Sequence, residues 1–152
     1  MFIEGVKSKG EFVAVLTDQF GNTTEVARDN LIVISGLAHI ASRQVSAVDA
    51  AMGWIAIGTG TVAAAITDTL LGAEVNRVAT TTSIVTTAQT GDTVQYIATF
   101  PPAGGANVPV TEAGIFNSAT ANTATMLNRV TFPVINKGPL DSLTITWRVR
   151  SM

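Results

Sequence analysis

Cysteine is missing from the 152 residues, and histidine occurs once, at His39. Without cysteine there is no disulfide framework, no thiolate metal ligand and no thiol nucleophile. One histidine cannot supply an ordinary zinc ligand set within one chain, and His39 reads as a packed or surface residue of a helix. Charge is also scarce. Asp, Glu, Lys and Arg make up 13% of the chain, against about 25% in ordinary soluble domains. The formal net charge is −2 and no basic cluster occurs, so nucleic-acid binding, which needs Lys and Arg to replace phosphate counterions, is disfavoured. Long apolar runs are lacking as well. A spanning helix needs about 20 apolar residues, whereas Leu31–Ala41 is broken by Ser35, Gly36 and His39, and Ile55–Ala65 by Gly58-Thr59-Gly60-Thr61. No membrane partner is expected. Met1–Lys9 carries Glu4, Lys7 and Lys9 and leads into no apolar stretch of the secretory type.

What the chain does have is apolar content, 47% of residues, with a mean hydropathy of +0.38. A chain of this length makes one domain and can bury roughly 68–70% of its unfolded surface. With so little charge and no membrane span, the remaining place for apolar surface is against other protein. Interface cores are depleted of charge and resemble a domain core cut in half. A homo-oligomer is the expectation. Residues 1–10 read as an N-terminal arm and residues 11–152 as a single domain.

Two-residue alternation dominates that domain. Leu143, Ile145, Trp147 and Val149 alternate with Thr144, Thr146, Arg148 and Arg150, the pattern of a half-buried antiparallel strand. Val94–Phe100 is nearly as regular. Val130–Val134 alternates too, and Pro133 marks an edge or a bulge there. Glu11–Thr17 and Thr23–Arg28 flank the turn-rich Asp18–Asn22 and form a hairpin. Arg77–Ala88 and the Val94 strand form a second hairpin turned at Thr90-Gly91-Asp92, and Val110–Asn117 with Thr125–Val134 a third around Ser118–Asn122. The expected class is mainly β, an antiparallel sandwich of jelly-roll or Ig-like type. One helix interrupts it near residues 30–45, capped by Asp29 or Asn30, with Leu31, Ile34, Ala38, Ala41 and Val45 near helical spacing; the Leu31-Ile32-Val33-Ile34 run could equally open as a strand. A short helical turn is expected around Asp68–Glu74.

Sites of chemistry are few. Gly58-Thr59-Gly60-Thr61 lacks the Lys of a P-loop and the third glycine of a dinucleotide motif, so it reads as a turn. Glu74 and Glu112 could form a glycosidase pair, but Arg77 beside Glu74 offers a simpler ion pair, and Glu112 could cap a turn or pair with Arg129. No Gly-x-Ser-x-Gly elbow occurs. No catalytic residue, metal ligand or cofactor is assigned, and the chain is not expected to be an enzyme. Most aromatics fall on apolar strand faces. Phe2, in the arm, and Phe20, at a hairpin tip, are the exceptions. The candidate interface residues are Phe2, Ile3 and Val6 of the arm, Phe20, and Pro101, Pro102, Val108 and Pro109 of an uncharged loop.

Gly58-Thr59-Gly60-Thr61, Asp68–Glu74 with Arg77, Thr111–Asn117, Thr125–Arg129, Asn136-Lys137-Gly138 and Leu143–Trp147 occur in this order after an Asn30-Leu31-Ile32-Val33 helix entry. In this the chain resembles a family of small virion proteins of tailed bacteriophages, with some similarity to tail-fibre-associated domains. The resemblance implies a structural virion component, a capsid decoration or cement protein on the capsid surface. Its implied partners are the major capsid protein and its own copies, with a trimer expected by analogy. A tail, baseplate or fibre-attachment part is the alternative, and a carbohydrate-binding host-recognition module a further one.

Overall fold

The computed structural model describes residues 8–45 and 49–151. Along the chain run β1 (Ser8–Thr17), β2 (Thr23–Ile32), α1 (Ile34–Val45), β3 (Trp54–Gly58), β4 (Glu74–Ala79), β5 (Thr81–Val85), β6 (Thr93–Phe100), β7 (Val108–Phe116), β8 (Met126–Lys137) and β9 (Ser142–Ser151). The strands form one nine-stranded sheet in the order β4-β3-β7-β8-β2-β1-β9-β6-β5. Every pairing is antiparallel.

This sheet is nearly closed into a barrel, and the chain itself explains how. β4 and β5 are the two edges, yet only Thr80 separates them in sequence. Ala79 still pairs with Trp54 of β3, and Thr81 already pairs with Ile97 of β6. The backbone amide of Thr80 is held at 2.9 Å by the Gly53 carbonyl. One extended segment therefore leaves one edge and joins the other, which curls the sheet on itself and shortens both exposed edges. The β-rich reading of Arg77–Ala88 was right in kind, but the segment is divided between two strands on opposite edges.

Alternation fills the interior. Leu143, Ile145 and Trp147 are fully buried, as are Phe12, Phe100, Ile55 and Ile115. Phe12 stacks on Phe132 with centroids 5.1 Å apart and meets the edge of Trp147 at 4.9 Å. The Trp147 indole donates to Asn30 Oδ1 at 2.8 Å, so the largest core side chain keeps its polar atom satisfied. Opposite Val110 and Glu112 the β8 partner jumps from Ile135 to Thr131. The extra residues bulge around Pro133, where the sequence expects a break, because proline cannot donate to the ladder.

All three expected hairpins form. The helix differs at its start. Asp29 and Asn30 remain in β2, and Leu31 and Ile32 pair with Arg129 and Asn128 of β8, so capping at Asp29 or Asn30 does not occur and α1 begins at Ile34. No helical turn forms at Asp68–Glu74, since the amides of Gly72 and Ala73 are drawn to a side chain instead. Residues 8–10, assigned to the arm, are the first residues of β1.

α1 docks on β8 through its small residues. Gly36 lies against the Leu127 backbone carbonyl with no room for a Cβ. Ser35 Oγ donates to the Met126 carbonyl at 2.9 Å. Because the obstacle is backbone, Gly36→Ala is expected to cost about 1–3 kcal/mol of overpacking strain. Urea unfolding would read it as a lower midpoint, with Gln44→Ala, exposed on the same helix, as the neutral control.

Candidate functional site: a buried carboxylate clasp and an exposed end

Ala113 and Ile115 of β7 belong to the main core. Alternation therefore turns Glu112 and Gly114 to the other face of the sheet, beneath the irregular segment 59–73. Glu112 is completely buried and Arg129, on β8, is 3% exposed. Glu112 Oε1 accepts the Gly60 amide at 2.9 Å and the Ala73 amide at 2.7 Å. Its Oε2 accepts the Gly72 amide at 2.9 Å, Arg129 Nε at 3.0 Å and Arg129 Nη2 at 2.7 Å. Arg129 continues outward, its Nη1 bonding Asp68 Oδ2 at 2.8 Å and its Nη2 the Val62 carbonyl at 2.9 Å. One carboxylate and one guanidinium thus pin both ends and the middle of a fifteen-residue loop.

The glycines are part of this arrangement. A Cβ on Gly58 or Gly60 would sit 2.5 Å from Glu112 Oε1. The Gly58–Thr61 turn is therefore a cradle for an internal carboxylate. Burial by itself would raise the Glu112 pKa, but the amides of Ala73, Gly72 and Gly60 and the Arg129 guanidinium outweigh it, and the net shift is downward. Burial likewise opposes the charge on Arg129, while Glu112 and Asp68 restore it and hold its pKa above the ordinary value.

Glu74 and Glu112 both face Gly58 across β3, two strand spacings apart, or roughly 10 Å between backbones. The structure places them in one row, but each carboxylate is taken. Glu74 Oε1 pairs with Arg77 Nη2 at 2.6 Å, and Arg77 lies 4.0 Å over the Phe116 ring and donates to the Ser118 carbonyl at 2.7 Å. Both ion pairs anticipated from sequence are present. His39 is 6% exposed on the inner side of α1, and burial lowers its pKa. Its Nδ1 has no partner among the described residues, nor do the amide atoms of the buried Asn128.

The candidate interface residues divide in two. Phe2, Ile3 and Val6 lie outside the described residues. Phe20, Pro101 and Pro102 come together at one end of the barrel, because Thr17 of β1 and Phe100 of β6 pair with adjacent residues, Ser142 and Leu143, of β9. Phe20 is 80% exposed, and Pro101, Pro102 and Pro109 are exposed as well. Val108 is half-buried and packs on the core, so it supports the loop rather than presenting it. Lys137 Nζ fastens the Pro101 carbonyl at 3.0 Å. Sequence reasoning missed Asp68 as the third member of the clasp and the glycines as its cradle. The available signal was a glutamate and an arginine each followed directly by an apolar residue of its strand, Ala113 after Glu112 and Val130 after Arg129.

A Glu112→Gln change is expected to cost about 3–5 kcal/mol, because Arg129 loses its fully buried partner. A carboxylate whose folded pKa is depressed stabilises the fold above its unfolded pKa and loses that contribution as pH falls through the folded value. Wild-type stability should therefore fall more steeply with acid than that of Glu112→Gln. Thermal melting across the acid range would show the two curves converging. Parallel curves would show that Glu112 does not carry the dependence.

Comparison with known proteins found no matching family model, no matching curated protein and no matching solved structure.

Proposed function

We propose that the protein is a structural component of a tailed-bacteriophage virion, a capsid decoration protein that works by self-association and by packing on the major capsid protein, with no catalysis and no cofactor. The observation that carries this reading is where the resembling segments fall. Gly58–Thr61, Asp68–Arg77, Thr111–Asn117 and Thr125–Arg129 converge on the Glu112–Arg129 clasp, whose oxygens and nitrogens are spent on one another and on backbone. A signature used in this way fixes a surface rather than a reacting group. Surface composition supports the same reading, with Phe20, Val62, Ile84 and Val45 each at least 74% exposed. On this reading the sheet is a flattened, sandwich-like barrel. β2 passes from one face to the other, pairing with β1 over Thr23–Asn30 and with β8 at Leu31–Ile32.

A tail or baseplate part is the alternative within the same class. A carbohydrate-binding module draws less support, because residues 101–109 hold no aromatic. Among the described residues, Phe20 is the strongly exposed one. Electron cryomicroscopy of particles carrying the tagged protein separates these. Decoration predicts many copies spread regularly over the head. Density confined to the tail moves the protein to the alternative, and particles that lack it overturn the virion reading.

A further inference from the structure

α1 turns most of its large apolar side chains outward. Gly36, His39 and Ser35 face the sheet together with Ile40, which packs on the core, while Ile34 is 55%, Leu37 52% and Val45 89% exposed, with Ala38 and Ala41 exposed between them. A helix of a globular domain ordinarily turns its large apolar side chains inward. The outer face continues onto the segment beside the helix start, where the Ile34 amide donates to the Ile66 carbonyl at 2.8 Å. There Ile66 is 53%, Leu70 46% and Val62 76% exposed.

We propose that this face is where a second copy of the chain docks, α1 against α1 about a twofold axis. Three features select that occupant. The first is charge. The only charged residues of α1 and of the adjoining segment 59–73 are Arg43 and Asp68. Arg43 donates to the Asp49 carbonyl at 2.7 Å and Asp68 is held by Arg129. A charged partner would be desolvated against this face without compensation, whereas an equally uncharged surface, such as this one, matches it. The second is area. Taking roughly 200 Å² for a fully exposed aliphatic residue, Ile34, Leu37, Val45 and Ile66 present roughly 500 Å², at the upper end of the apolar patch usual on a monomer, and Val62 and Leu70 of the same loop add roughly 200 Å² toward the ~800 Å² per partner of a standard interface. The third is pattern. In an antiparallel pair of helices, Ile34 meets Val45 of the second copy, and Ala38 meets Ala41. Leu37 then lies over the small residues at the centre. The stripe is its own complement under twofold rotation, which an isologous contact requires.

This deepens the self-association part of the proposed function and rests on it. The test uses the full chain in light scattering and sedimentation over a range of concentrations. Wild type should form a dimer or a multiple of one, and Leu37→Glu should raise the dissociation constant by about 100-fold or more, with far-ultraviolet dichroism unchanged. The chain has no cysteine, so Ala38→Cys with Ala41→Cys gives a second readout that does not depend on a buried charge. Mild oxidation should join two copies covalently, while Ala103→Cys, at the other end of the barrel, should not. An oligomer untouched by Leu37→Glu and giving no α1 cross-link overturns this face but leaves self-association standing. A wild-type monomer at every concentration overturns both. A monomer that attaches to capsids only through an intact Leu37 overturns the second copy as occupant and assigns the face to the shell.

Discussion

Removing a carboxylate and a guanidinium from water costs several kcal/mol per ion unless each finds a full set of partners. Glu112 and Arg129 find theirs, and much of the molecule is arranged around their doing so. Three backbone amides from two turns converge on Glu112, which requires glycine where the chain passes closest. Arg129 spans from that carboxylate to Asp68 and the Val62 carbonyl, which anchors the centre of the loop. A segment of this length without helix or strand is uncommon in a compact domain. Here charge, not regular hydrogen bonding, gives it a shape.

β8 carries the consequences furthest. Its first five residues, Met126–Val130, are all buried, although a strand with one wet face would alternate. The barrel interior covers one side, and α1 with the pinned loop covers the other. Loosening the clasp therefore exposes the outer face of β8 and frees the ground on which α1 stands, since the Ile34 amide bonds the same loop. The clasp and the helix are one mechanical unit. Glu112 thus helps to place the outward face of α1, which Ser35 and Gly36 also hold on β8 directly.

The legible part of the fold was whatever repeats with period two. Trp147 and its neighbours announced β9 because one face is dry and the other wet. The hairpins were legible from their turns, where Asp18 accepts the amides of Phe20 and Asn22 and Gly91 takes a positive φ. Closure was not legible, because it depends on Thr80, a residue with no distinctive propensity that sits where two ladders change partners. The helix entry was open between helix and strand in the sequence, and the caps at Asp29 and Asn30 were misplaced, because Leu31 and Ile32 have good β propensity and a waiting partner in β8. The clasp was half legible. Arg129 was one of two partners open to Glu112 from the sequence, the other being the cap of a turn, but three amides and Asp68 arrive from a segment 39 to 61 residues away, and no local pattern encodes that. For α1 the apolar spacing identified a helix and said nothing about which way the stripe points. Only the backbone contact at Gly36 decides it.

Charge and apolarity have in part exchanged their usual places. Of a small charged set, Glu112, Arg129 and Lys137 are buried and the Arg77 side chain is 5% exposed. The surface is therefore poorer in charge than the composition alone implies, while isoleucine, leucine and valine stand outside on α1 and its loop. Burying ion pairs is an inefficient route to stability, since well-packed apolar residues of the same volume do as well or better. Exposing large aliphatics is inefficient too. The two together suit the covered surface proposed above, because the internal charges then hold the charge-poor outer face of α1 and its loop in one conformation. A surface rigid before contact loses less entropy on association than one that must be ordered by it, and this is the gain the proposed self-association would draw on.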